Sequence, residues 1–174
     1  MTWSEKIRDR ESFTTLYRTH HPVVFRFALS MAGDRTVAAD VTQDVFVWLI
    51  HHPDSFDPDR GELSSFLIGV ARKFLLRRMQ YDSRLVPLDE GTHPALELPD
   101  DEQSGVEALR AAIAALPPRY REVIVLCDLE GLSYEEAAAA VSCATGTVRS
   151  RLHRARQFLA RKLESKKRNQ ECSA

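Results

Sequence analysis

The chain has 174 residues, 44% of them hydrophobic, with a formal net charge of -1; that is enough for one ordinary domain or two small ones with real cores. No apolar run nears the roughly 20 residues that span a bilayer, and the N-terminus MTWSEKIRDRES has no apolar signal core, so a cytoplasmic chain without membrane insertion is expected. Cys127, Cys143 and Cys172 are odd in number and widely spaced, which argues against a disulfide framework or a zinc site.

In the N-terminal block, Phe13, Leu16, Tyr17, Val24, Phe25, Ala28 and Met31 recur at helical spacing. They predict a long helix that starts near Ser12, bends at Pro22 and stops at Gly33. A second helix follows Asp34. Its core seam is Val37, Val41, Val45 and Trp48, while Asp40, Gln43, Asp44 and Val47 form a separate stripe at i, i+3, i+4 and i+7. HHPDSFDPDRGEL interrupts helix with Pro53, Pro58 and Gly61. A third helix, capped by Ser64 or Ser65, turns Leu67, Val70, Ala71 and Phe74 inward and carries Arg72, Lys73, Arg77 and Arg78 elsewhere. The pairs His20-His21 and His51-His52 lack an acid or cysteine at ligand spacing, so no metal site is expected.

YDSRLVPLDEGTHPALELPDDEQSG, punctuated by Pro87, Gly91, Pro94, Pro99 and Gly105, has little to bury and repels itself. It predicts a flexible acidic linker. The near-zero net charge hides this partition: residues 1–80 carry +1, residues 81–106 carry -6 and residues 107–174 carry +4. In the C-terminal block, VEALRAAIAALPP is a short helix ended before Pro117-Pro118. RYREVIVLCDLEG follows, with Tyr120, Val123, Ile124 and Cys127 inward and Gly131 as a left-handed cap. Ser133 and Glu136 form a capping box at the head of an alanine-rich helix.

After a break at VSCAT comes GTVRSRLHRARQFLARKL. Val148, Leu152, Ala155, Leu159 and Leu163 give it one buried face. From Thr145 to Arg168 there are nine Lys or Arg and a single acid, Glu164, a field that calls for an anionic partner. Two short helices joined by a tight turn, the second basic at its start, constitute a helix-turn-helix unit. A helix of about 10–12 Å diameter fits the major groove. On that geometry Arg149, Ser150, His153 and Arg154 read base edges, and Arg151 and Arg156 hold phosphates.

LPPRYREVIVLCDLEGLSYEEAAAAVSCATGTVRSRLHRARQFLARKL resembles region 4 of the extracytoplasmic-function (ECF) sigma factors of bacterial RNA polymerase, and FTTLYRTHHPVVFRFAL, AADVTQDVFVWLI and FDPDRGELSSFLIGVAR resemble region 2, in the same order. The resemblance implies an all-α chain of two small helical domains: a region 2 helical bundle over 1–80, the acidic linker over 81–106, the region 4 helix-turn-helix over 107–168 and a tail over 169–174. It implies that region 4 reads the -35 promoter element through Arg149, Ser150, Arg151, His153, Arg154 and Arg156. Region 2 then grips the β′ clamp helices of core polymerase through Asp40, Gln43, Asp44 and Val47. It also captures and melts the -10 element through Phe66, Arg72, Lys73 and Arg77, with released bases repaying the cost of unstacking. The implied partners are core polymerase (β′ clamp helices and β flap), promoter DNA and an anti-sigma factor; no cofactor or metal is implied. Such a factor acts by binding, not as an enzyme.

Departures from the family pattern lie at informative places. Ala39 stands where an acid is common, lowering charge on the polymerase-facing helix, and Phe66 stands where Trp is frequent. ARKFLLRRM puts Lys73 and Arg77 at positions usually held by Asn and Asp. Ala137 replaces a frequent Ile and Ala144 a frequent Ser cap, leaving Thr145 or Ser142 as the substitute cap of the recognition helix. Thr42, beside the stripe, offers a place where phosphate would restore the charge that Ala39 lacks. The competing reading is a free-standing helix-turn-helix regulator, which would bind a duplex operator without polymerase.

Overall fold

A computed structural model describes residues 3–85 and 105–171. Among them the chain is helical, with no strand. The N-terminal lobe consists of α1 (Trp3–Arg8), α2 (Arg10–Ala32), α3 (Arg35–His51) and α4 (Leu63–Leu85), with single 3-10 turns at Pro53–Ser55 and Pro58–Arg60 before α4. The C-terminal lobe consists of α5 (Gly105–Ala114), α6 (Pro118–Ile124), α7 (Tyr134–Val141) and α8 (Thr145–Glu171).

Local chemistry sets most of the boundaries. Asp9 caps α2 by accepting from the Ser12 amide at 2.8 Å, and hydrogen bonds from the Ser12 hydroxyl and amide hold its carboxyl below the usual range. The start is therefore two residues earlier than the Ser12 expected, because the capping oxygen lies upstream of the apolar period. Gly33 ends the helix at φ 71°, with its amide on the Leu29 carbonyl. Asp34 then caps α3 through the Val37 amide. Neither Ser64 nor Ser65 caps α4: the helix begins at Leu63, and Ser64 instead bonds His20 Nδ1 across to α2 at 2.9 Å. Helix α1 escaped the periodicity because its only buried side chain is Ile7. It is held by tertiary contacts, Trp3 edge-on to Phe56 and Ser4 on Asp54.

The N-terminal core stacks Val24, Phe27 and Ala28 of α2 on Val41, Val45 and Leu49 of α3 and on Leu67, Ile68 and Ala71 of α4. Fully burying side chains of this size contributes about 1.5–3 kcal/mol each. The C-terminal core gathers Ile113, Val123, Ile124 and Leu126 beneath Ala137, Val141, Val148, Leu152 and Ala155. Ala137, at a position where the family pattern has a larger residue, is fully buried.

Helix α6 does not run straight to Gly131. It passes into a π turn over Val125–Leu129, and Gly131 at φ 71° then redirects the chain. The linker expected over 81–106 is helical at both margins, since α4 runs through Leu85 and α5 begins at Gly105; residues 86–104 lie outside the described residues, as do 172–174 of the expected tail.

The two lobes pack against each other. Helix α4 lies against α7, where Gly69 faces the Ala140 backbone. Arg121 of α6 donates to the Met31 carbonyl near the end of α2 at 2.8 Å and also reaches the carbonyls of Ala114 and Leu116. One guanidinium thus satisfies helix-end acceptors from both lobes, although burial lowers its pKa.

Candidate nucleic-acid and polymerase interfaces

Helix α8 buries Val148, Leu152, Ala155 and Leu159 and exposes Arg149, Ser150, His153, Arg154 and Arg156, with Arg151 half-buried at the seam. Its entry is built by α7. Ser133 accepts from the Glu136 amide at 3.2 Å while Glu136 accepts from the Ser133 amide at 2.7 Å, so the capping box is complete. Ser142 closes α7 in the left-handed region at φ 54°, so it ends one helix instead of capping the next. The Ala144 carbonyl then accepts from Thr147 and Val148 as α8 begins.

The basic side chains differ in what they touch. Arg149 lies over the Tyr134 ring, 5.9 Å from its centroid. Arg154 reaches the Tyr120 phenol and lowers its pKa, helped by Arg119, which stacks on the same ring. His153 and Gln157 pair through their Nε2 atoms at 3.0 Å, and Ser150 donates back to the Thr147 carbonyl. Arg156, expected on phosphate, makes a bidentate pair with Asp128 at 3.1 and 2.6 Å. Asp128 sits in the π turn, and its sequence separation from Arg156 hid the pairing. Tyr120, Asp128 and Tyr134 were missed for that reason.

On α3, Gln43, Asp44 and Val47 stand exposed on one stripe, and the half-exposed Asp40 beside them pairs with Arg78 of α4 at 3.0 Å. Ile50, 46% exposed, continues the line beyond Val47 at 45%; the same three-residue step would have found it. Ala39 is exposed nearby. Thr42 is 1% exposed and donates to the Ala38 carbonyl at 2.7 Å, which places its hydroxyl in the core and out of reach of a phosphorylating enzyme.

The four residues expected at the -10 element do not share one open surface. Phe66 is half-buried in a ring cluster with Trp48 and Phe56. Lys73 and Arg77 are exposed, Lys73 on the wall of a cleft of about 430 Å³ that also touches Glu135, Glu136 and Ala140 of α7. Arg72 is not presented to solvent as a DNA ligand: its Nε donates to Glu122 Oε1 at 2.7 Å, and the Glu122 carboxylate is 5% exposed. The reason is interlobe packing, which sets Glu122 of α6 beside Arg72 of α4.

Models of two sigma-70 families match this chain, region 2 over residues 16–85 and region 4 over residues 106–159. The ECF sigma factor EcfG of Rhodopseudomonas palustris is 32% identical over 142 residues, covering 80% of this chain and 78% of that one. This chain belongs to the ECF sigma factors. SigE of Mycolicibacterium smegmatis, another ECF sigma factor, is 36% identical over 155 residues; the match takes in 85% of this chain and 60% of SigE. Among solved structures, the sigma factor RpoE of Bartonella quintana in complex with the anti-sigma factor NepR superposes with a TM-score of 0.75 at 28% identity, over 88% of this chain and 98% of that one. CnrH in complex with the cytosolic domain of CnrY gives a TM-score of 0.68 at 27% identity, over 92% and 94%.

In this sigma factor the N-terminal lobe is therefore region 2 and the C-terminal lobe region 4. Cys127 and Cys143 are free thiols, and burial beside Asp128 raises the pKa of Cys127. Among the described residues there is no group of acids, histidines and cysteines suited to a metal ion, and no helix is long and apolar enough to cross a membrane.

Proposed function

We propose that this chain acts in the cytoplasm as an alternative sigma factor. It binds core RNA polymerase through Gln43, Asp44 and Val47 of region 2, with Asp40 and Ile50 at the edge, and directs it to promoters. Region 4 reads the -35 element with Arg149, Ser150, His153 and Arg154, and Arg151 holds backbone. Phe66, Lys73 and Arg77, joined by Arg72 once Glu122 releases it, take the -10 element. The observation that carries the reading is the presence of both units in one chain, each with an exposed surface of the required chemistry: an acidic and apolar stripe on α3 and a basic face on α8. The shallow apolar groove formed by the exposed Phe158, Ala115 and Pro117 over the buried Ala112 and Leu116 supports docking of region 4 on the β flap. The likeness to RpoE bound by NepR supports an anti-sigma partner. The factor works by binding energy, and the polymerase supplies the chemistry.

Reconstituted transcription tests this: the purified chain with bacterial core polymerase on a pool of promoter fragments yields run-off products from a defined subset. In the same assay Arg154→Ala shifts -35 preference by about 1–3 kcal/mol per lost base contact. Tight binding of a duplex operator without polymerase, and no run-off with it, overturns the reading in favour of a free-standing regulator.

A further inference from the structure

Helix α1 lies outside the region 2 match, which begins at residue 16. Six residues are too few to hold a helix in water on their own, so its place depends on what it touches. Trp3 sets its ring edge-on to Phe56 with 4.8 Å between centroids, Ser4 Oγ donates to the Asp54 carboxylate, and Ile7 is buried in the core. Phe56 and Asp54 both belong to the connection between α3 and α4, residues 52–62, in which Phe56 alone is buried. The bonds inside this connection are local: the Ser55 amide and hydroxyl donate to the His52 carbonyl, the Asp59 amide to Asp57 Oδ1 and the Arg60 amide to the Asp57 carbonyl. They shape two turns without tying them to the lobe. Phe56 in turn lies 5.2 Å from Phe66, and Phe66 lies 6.1 Å from Trp48. A continuous run of rings therefore leads from α1, through the connection, to the α4 ring proposed for the -10 strand.

We propose that α1 is a buttress for this connection and that Trp3 is a positioning residue for -10 recognition, acting through Phe56 on Phe66 without touching DNA itself. The inference rests on the -10 role given to Phe66 above. A base released from the duplex gains most by stacking on a ring already in place, because a mobile ring must be ordered in the same step. Where the connection is seated for only a fraction of the time, apparent affinity for the strand falls by that fraction. Phe56 and Phe66 also line one cleft with Ser55, Arg60 and Lys73, so a shift of the connection moves cationic as well as aromatic groups. The Trp3 indole nitrogen is enclosed and meets no acceptor among the described residues. Its ring is held by packing alone, so phenylalanine can take its place where alanine cannot.

The test compares wild type with Trp3→Ala, Trp3→Phe, Ser4→Ala and Phe66→Ala in two measurements. Amide hydrogen exchange over residues 53–62 is followed in the full chain. Affinity for a fluorescent single-stranded oligonucleotide, carrying the non-template -10 sequence of a transcribed promoter, is measured with the chain assembled on core polymerase. Trp3→Ala is expected to speed exchange in the connection and, if the connection is then seated about one tenth of the time, to weaken the oligonucleotide about tenfold. Ser4→Ala moves both readouts the same way by less, and Trp3→Phe stays near wild type. Exchange at Val45 and Leu67 in the core is expected to hold, which separates loss of the buttress from loss of the fold; if Trp3→Ala unsettles these amides too, Ser4→Ala, which removes a single hydroxyl, decides. Unchanged exchange over 53–62 in both Trp3→Ala and Ser4→Ala overturns the buttress. Faster exchange with unchanged affinity overturns the positioning role of Trp3 if Phe66→Ala still weakens the oligonucleotide. If Phe66→Ala also binds normally, the -10 assignment of Phe66 falls, and the positioning role with it.

Discussion

Arg156 and Arg154 look alike on a helical wheel but have different surroundings. Arg154 is exposed beside the Tyr120 phenol, while Arg156 is held by both Asp128 oxygens. The Arg156–Asp128 pair is solvent-facing, so its stability contribution is under about 1 kcal/mol, yet it neutralises one charge on the basic face of α8. Asp128→Asn is expected to release that charge. In a salt titration of promoter-duplex binding by the holoenzyme, the slope of log K against log salt steepens by about 0.9 if Arg156 then neutralises one phosphate. An unchanged slope would mean Arg156 faces away from the backbone. The side of α8 on which each arginine lies was legible, because the 3.6-residue period is local; the partner 28 residues away was not.

Elements ended where short-range bonds could be recognised. The Ser133–Glu136 box, the Asp34 cap and the Gly33 and Gly131 turns all use residues within a few positions of one another. Ser133→Ala should destabilise region 4 by about 1 kcal/mol, measurable as a shift in denaturant midpoint. The box also carries a pH dependence. Bonds from Ser133 hold the Glu136 carboxyl below its ordinary value, so its contribution is complete above that value and is lost as pH falls through the lowered one. Thermal melts of Glu136→Gln, compared with wild type from about pH 6 to pH 3, should lack that part of the acid limb. Where sequence reading missed α1, the cause was tertiary: the helix is held by Phe56 and Asp54 from a distant loop; the π turn, likewise unforeseen, carries the fully buried Val125 and Leu126.

At the scale of the molecule, the α3 stripe remains exposed while the -10 candidates on α4 are partly covered by region 4. On the proposed assignment, this arrangement leaves the polymerase-binding stripe more accessible than the -10 candidates. Asp44→Arg should therefore weaken capture of core polymerase by roughly tenfold, about 1.4 kcal/mol, with greater effect at low salt. A competition titration against wild-type chain measures it, and the promoter subset transcribed should not change. Equal competition would show that the stripe lies outside the polymerase contact.

By itself the sequence determined the all-helical class, the division into two lobes around an acidic segment, and the basic face of α8. Each follows from periodicity, caps or composition, which act over a few residues. Only the tertiary structure decided which charges are available. Arg72 and Glu122 are 50 residues apart and Arg26 and Glu130 are 104 apart, and an ion pair depends on where folding brings two groups, not on the pattern around either one.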